Sequence, residues 1–158
     1  MSVHFIRHWP DGNWVFDYNF PNKSKKEIYR DYLSTLKKGI KTGLFDIVGH
    51  LDMIKSPGDS LIELVPNDVG DLLKVIKDSG MAIEINTSGY RKNVGEPYPG
   101  LDWLPIIREE LIPLTTGSDA HHPDQVGLKY ESVYTQIKKE GINKLVVFDR
   151  RLQKKIKI

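Results

Sequence analysis

Asp119 and His121 stand two residues apart in Thr115-Thr116-Gly117-Ser118-Asp119-Ala120-His121-His122, directly after the apolar run Leu111-Ile112-Pro113-Leu114. An apolar run that ends in glycine, serine, aspartate and histidine reads as a buried strand that delivers a carboxylate and an imidazole into a loop at its carboxyl end. In α/β proteins that end is where sites are built. On an extended backbone, residues two apart project to the same side, so Asp119 and His121 are expected to converge on one point. Oxygen and nitrogen ligands together suit Zn, Mn or Fe better than Mg or Ca. Taken alone the stretch also fits a blander role, an aspartate capping the next helix beside a solvated histidine. Partners elsewhere in the chain decide between the two.

Leu44-Phe45-Asp46-Ile47-Val48-Gly49-His50 repeats the pattern. Gly49 is expected to let the backbone turn closely, and His50 lands at the same edge as Asp119 and His121 if the strands are parallel. A single such histidine is more often a hydrogen-bonded core residue than a ligand. Val3 to Ile6 is a short apolar run interrupted by His4, compatible with a strand carrying that imidazole. Met81 to Asn86 reads as another strand, with Glu84 and Asn86 on one face. Thr87-Ser88-Gly89-Tyr90-Arg91-Lys92 then makes a hydroxyl-rich basic loop. Beside a metal it would suit a phosphate, because arginine offers a bidentate fork. Lys55 to Asp59 forms a polar loop.

The elements that must position these residues alternate. Ser24-Lys25-Lys26-Glu27 is a capping-box pattern, followed by Ile28, Tyr29, Tyr32, Leu33, Leu36 and Ile40 at helical spacing, which predicts a helix from about Lys25 to Thr42 ended by Gly43. Pro66-Asn67-Asp68 opens a second helix that Gly80 closes. Leu101 to Leu111 gives a third, interrupted near Pro105, and Tyr130 to Gly141 a fourth. Lys144 to Asp149 is a last strand, and Arg150 to Ile158 is expected to be a solvated basic tail. The aromatic stretch from Arg7 to Asn22 reads as a long, partly packed loop. Strict alternation of strand and helix argues for an α/β fold with about five parallel strands in one domain over residues 1–158, all strand carboxyl ends on one edge.

Composition removes several classes of function. The chain has 158 residues, 39% hydrophobic, with a formal charge of +2 and no cysteine. Disulfides and thiolate metal sites are excluded, and so small a net charge argues against a nucleic-acid or membrane partner. No apolar run approaches a membrane span, and no secretory signal pattern opens the chain, so a cytoplasmic setting is the expectation.

Ser2-Val3-His4-Phe5-Ile6, Asp46-Ile47-Val48-Gly49-His50-Leu51-Asp52, Glu84-Ile85-Asn86-Thr87-Ser88-Gly89 with Arg91-Lys92, and Gly117-Ser118-Asp119-Ala120-His121 together resemble the polymerase-and-histidinol-phosphatase (PHP) superfamily, most of all its histidinol-phosphatase branch. The resemblance implies a distorted (β/α)7 barrel with two or three divalent metals (Zn, Mn or Fe) at the strand carboxyl ends, and hydrolysis of histidinol phosphate in histidine biosynthesis. It implies His4, His50, Asp119 and His121 as metal ligands and Arg91 as the holder of the substrate phosphate, with Ser88 and Lys55 as lesser substrate contacts. Glu84 and Asn86 would support the ligands from behind. Asp119 would also receive or orient the water proton, and Arg91 would neutralise phosphoryl oxygens as water attacks phosphorus. His4 and His50 would bind as neutral imidazoles, so activity should fall in acid.

The chain departs from the family at its start. Members open with a His-x-His strand, then a further His and a Glu ligand, and none of these is in this sequence. The chain is expected to match the C-terminal part of a member, a partial barrel whose N-terminal strands are missing and whose edge strands are exposed. A second copy or an N-terminal partner segment could complete it. Two other readings stand beside a phosphatase of histidinol phosphate: another PHP phosphoesterase acting on nucleotides or beside a DNA polymerase, and a non-catalytic, metal-binding partial barrel.

Overall fold

The structure, a computed structural model, describes residues 1–6, 14–15 and 22–158. Most of the aromatic stretch from Arg7 to Asn22 lies outside the described residues. Helix α1, Lys25–Ile40, begins as its sequence dictates: the Ser24 hydroxyl accepts from the Glu27 amide, and the Glu27 carboxylate accepts from the Ser24 amide at 2.8 Å. Its buried stripe is Ile28, Tyr29, Tyr32, Leu33, Leu36 and Ile40, the face expected of a helix that covers a core. It stops two residues before the expected Thr42, where Thr42 and Gly43 bond back to Gly39 and Ile40.

Strands β1 (Ile47–Val48), β2 (Ala82–Asn86) and β3 (Leu114–Gly117) form a parallel sheet in that order, with Val48 opposite Ile83 and Ile83 opposite Leu114. A one-turn helix α2, Leu61–Leu64, and helix α3, Pro66–Ser79, connect β1 to β2. Pro66 sits in the first turn of α3, where its missing N–H costs nothing, and Gly80 closes the helix in the left-handed conformation at φ 71°. A 3₁₀ turn, Leu101–Trp103, and helix α4, Leu104–Glu109, connect β2 to β3, with Pro105 in the first turn of α4. Helix α5, Tyr130–Lys139, follows β3. Val48, Ile83, Ile85 and Leu114 from the sheet join the α1 and α3 stripes, Trp103 and Ile107 in one buried cluster.

Four expectations need correction. Among the described residues the sheet has three parallel strands, not five. Strand β4, Lys144–Asp149, pairs antiparallel with β5, Leu152–Lys157, so the basic tail is a strand and not a solvated segment. Arg150 and Arg151 make the reversal, both at positive φ (50° and 68°), the backbone of a tight two-residue hairpin turn. Residues 1–6 form no regular strand either, although they lie along β1. The Met1 ammonium donates to the Ile47 carbonyl, and the Gly49 amide donates to the Met1 carbonyl at 2.8 Å, which is the parallel bonding pattern centred on Val48. Finally, β3 begins at Leu114, and Leu111 is 84% exposed. Among the described residues no helix is long and apolar enough to cross a membrane.

Candidate active site

The carboxyl ends of β1 and β2 bring His50, His4 and Glu84 together. His50 follows β1 at φ 30°, a conformation a non-glycine residue holds only when its surroundings impose it. Its amide donates to Glu84 Oε2 at 3.1 Å, and the same oxygen accepts from Asn86 Nδ2 at 2.9 Å. The His4 ring stands edge-on to the His50 ring, centroids 5.0 Å apart. Burial pushes the His50 pKa down, and the neighbouring His4 pushes it the same way. Its Nδ1 is buried with no hydrogen-bond partner among the described residues. A neutral imidazole with an uncommitted buried nitrogen has the state a metal ligand needs.

Glycine makes room for Glu84. A Cβ on Gly117 would fall 1.9 Å from Glu84 Oε1, and one on Gly49 would fall 3.2 Å from Oε2 and 2.8 Å from the Ser2 hydroxyl. Gly49 is therefore needed for close approach. The turn expected at Gly49 is made by His50 instead.

After β3 the expected convergence fails. Asp119 takes φ 47°, so the backbone is not extended and the two-residue spacing no longer places two side chains on one side. His121 is exposed, and its Nδ1 lies 2.9 Å from the carbonyl of Asp119. Asp119 still acts on His50, whose charged form it favours. Among the described residues no three His, Asp or Glu side chains are grouped closely enough to hold a metal ion.

Arg91 ties β2 to this loop. It ends the 3₁₀ helix Thr87–Arg91, whose start is capped by Asn86 Oδ1 accepting from the Ser88 amide at 2.9 Å. Arg91 Nη2 donates to the carbonyls of Ser118 and Asp119 at 2.8 and 2.9 Å, while the buried Nη1 has no partner among the described residues. Ser88 is buried in that 3₁₀ turn. Arg91 also borders a cleft of about 690 Å³ whose other walls include Trp14, Lys55, Ser56, Lys92 and Tyr98.

Lys55, expected as a lesser substrate contact, is engaged by the protein. Its side chain is 2% exposed, with Nζ 3.0 Å from Asp52 Oδ2 and 2.9 Å from Glu96 Oε1, and it donates to the Pro97 carbonyl at 3.1 Å. Asp52 Oδ2 also accepts from the Gly100 amide at 3.0 Å. Burial pushes the Asp52 carboxyl up to about 6 against the pull of Lys55. Sequence reasoning passed over Asp52, although its i, i+3 spacing to Lys55 was a signal for this pair. It also passed over Trp14 and Tyr98 as cleft walls.

These elements make an α/β protein that gathers the imidazoles of His4 and His50 and the Glu84 carboxylate at the carboxyl edge of a parallel sheet. The PHP domain model matches residues 1–88, and the chain belongs to the PHP family. The match ends before Arg91, Asp119 and His121. The chain is 34% identical over 154 residues to a protein of Deinococcus radiodurans described as probable histidinol-phosphatase, covering 96% of this chain and 58% of that one. It is 29% identical over 154 residues to the histidinol-phosphatase of Bacillus subtilis, covering 84% of this chain and 55% of that one. The fold matches the crystal structure of histidinol phosphate phosphatase from Lactococcus lactis, complexed with Zn, L-histidinol and phosphate, with a TM-score of 0.78 at 23% identity, over 97% of this chain and 60% of that one. This chain therefore spans between 55% and 60% of the length of these relatives.

Proposed function

We propose that the chain serves in the hydrolysis of histidinol phosphate to histidinol and phosphate, as the portion of the enzyme that carries the phosphate-holding arginine and part of the metal site. The observation that carries this reading is Arg91. Its Nη2 is committed to two backbone carbonyls, which fixes the guanidinium beside the cleft that Arg91 lines, and its buried Nη1 has no partner among the described residues, a donor that a phosphate entering there would satisfy. The names of the relatives supply the substrate.

A divalent metal fits part of the proposed ligand set. His50 has a buried unpartnered nitrogen and His4 is its neighbour, so these two would hold an ion, with Asp119 and His121 as further proposed ligands from the β3 loop. Zn²⁺, when bound, would supply a Lewis acid that polarises the phosphoryl group. Glu84 and Asn86 hold the His50 backbone in place, and Asp119 can accept a proton at its carboxylate. Arg91 neutralises phosphoryl charge and orients the ester.

Elemental analysis of the purified chain after equilibration with Zn²⁺, with histidinol phosphate hydrolysis measured on the same sample, tests the reading. Bound Zn that His50→Ala or His4→Ala lowers at least about tenfold in affinity, with turnover preferring histidinol phosphate over a nucleotide monophosphate, is the expected result. No retained Zn refutes the metal assignment. The absence of any three-ligand group among the described residues favours a second reading, a partial barrel that binds metal without catalysis; Zn uptake with no turnover would establish it.

A further inference from the structure

Resting on the phosphatase reading, we infer that Trp14 is the platform for the substrate's ring and sets the preference for a ring-bearing phosphomonoester. Trp14 is held in advance: Phe5 and Trp14 form an antiparallel bridge, the Val15 amide donates to the His4 carbonyl at 3.0 Å, and the indole lies nearly parallel to the His4 ring, 5.8 Å away at 17°. The Phe5 ring braces it at 4.9 Å. The same indole lines the cleft that Arg91 borders. A phosphoryl group on Arg91 therefore leaves its organic substituent in this cleft, where Trp14, Val15, Ile54, Pro57 and Tyr98 form an apolar and aromatic wall. A flat, polarisable heterocycle gains from such a surface by stacking, whereas a short aliphatic chain leaves it unfilled. Because Trp14 also touches His4, a bound ring would pack beside the proposed metal ligand, coupling recognition of the organic group to the reacting end.

The test compares the affinity of the chain for L-histidinol phosphate and for 2-aminoethyl phosphate, which shares the phosphate and ammonium but has no ring, by calorimetry, with tryptophan fluorescence as a second signal. The wild-type chain should prefer the ring-bearing ester, and Trp14→Ala should reduce that preference roughly three- to tenfold, with Trp14→Phe restoring most of it. Read in a Trp9→Phe background, fluorescence quenching by the ring-bearing ester should disappear in both variants, because the one other tryptophan, Trp103, is fully buried in the core. An unchanged preference in Trp14→Ala, or an equal loss for both esters, overturns the inference and leaves Trp14 as a support for His4 alone. Equal wild-type affinity for the two esters also overturns it while the phosphatase reading stands. Binding of neither ester removes both.

Discussion

Gly117 and Glu84 show how closely individual residues are matched at this site. Gly117 stands opposite Asn86, and the Glu84 side chain reaches over it with no room for a methyl group, since a Cβ on Gly117 would overlap Glu84 Oε1 at 1.9 Å. Gly117→Ala should push the Glu84 carboxylate off the His50 amide and Asn86, at a cost of about 1–3 kcal/mol. Urea denaturation checks this, and a cycle with Glu84→Ala makes it specific: in that background Gly117→Ala should cost much less, because the atoms it displaces are gone. An equal cost in both backgrounds would mean that the strain lies in the β3 backbone. The left-handed conformations of His50 and Asp119 belong to the same picture, since backbone strain of this kind collects where a site must be built.

At the scale of elements, α1 is held by its capping box and β5 by a turn. The Ser24 hydroxyl, then the Ser24 amide, hold the Glu27 carboxyl below its ordinary value. A lowered folded pKa contributes stability that is complete above the unfolded value and is lost as pH falls through the folded one. The difference in urea midpoint between wild type and Glu27→Ala should therefore be full at neutral pH and shrink as pH falls below the ordinary carboxylate range; a difference independent of pH would show that the box contributes nothing through its charge. The hairpin of β4 and β5 relies on a different device. Arg150 and Arg151 occupy a turn that normally selects asparagine and glycine, and Arg151 also reaches Asp46 at 3.1 Å, ahead of β1. That contact ties the last strands to the start of the sheet.

Across the whole molecule, the buried pair Asp52–Lys55 joins the segment after His50 to the loop from Glu96 to Gly100. That loop is itself stitched to the end of β2, where Asn86 and Tyr98 exchange both backbone bonds at 2.7 and 2.9 Å. These contacts link the His50 segment, the end of β2 that leads into the Arg91 turn, and the cleft wall at Tyr98. Removing one charge strands the other in the interior, so Lys55→Met should destabilise the chain by about 3–5 kcal/mol, whereas Asp52→Asn combined with Lys55→Met should cost distinctly less. Thermal unfolding of the wild type and the two variants decides it. If the double variant is as unstable as Lys55→Met, the loss comes from packing of the lysine stem and not from the orphaned aspartate.

Much of the architecture is legible in the sequence because the signals are local. The Ser24 to Glu27 box, the apolar stripes of α1 and α3, Pro66 and Gly80, and the short apolar runs ending in histidine or aspartate each declare an element within a few residues. The motifs at His4, His50 and Glu84 also carried the family, which the PHP match over residues 1–88 bears out. Three things were decided only by the tertiary structure. Strand β5 has exposed side chains throughout, so no periodic burial announces it, and two arginines form its turn. Asp119 leaves the extended backbone at a left-handed φ, and the His121 ring bonds back to the Asp119 carbonyl, a property of the loop that Arg91 holds and not of residue spacing. Lys55 looks like a free cation in a polar loop until the fold closes Asp52, Glu96 and Pro97 around it. Residue type and spacing determine which groups are available and which elements carry them; long-range packing alone decides which of those groups remain uncommitted.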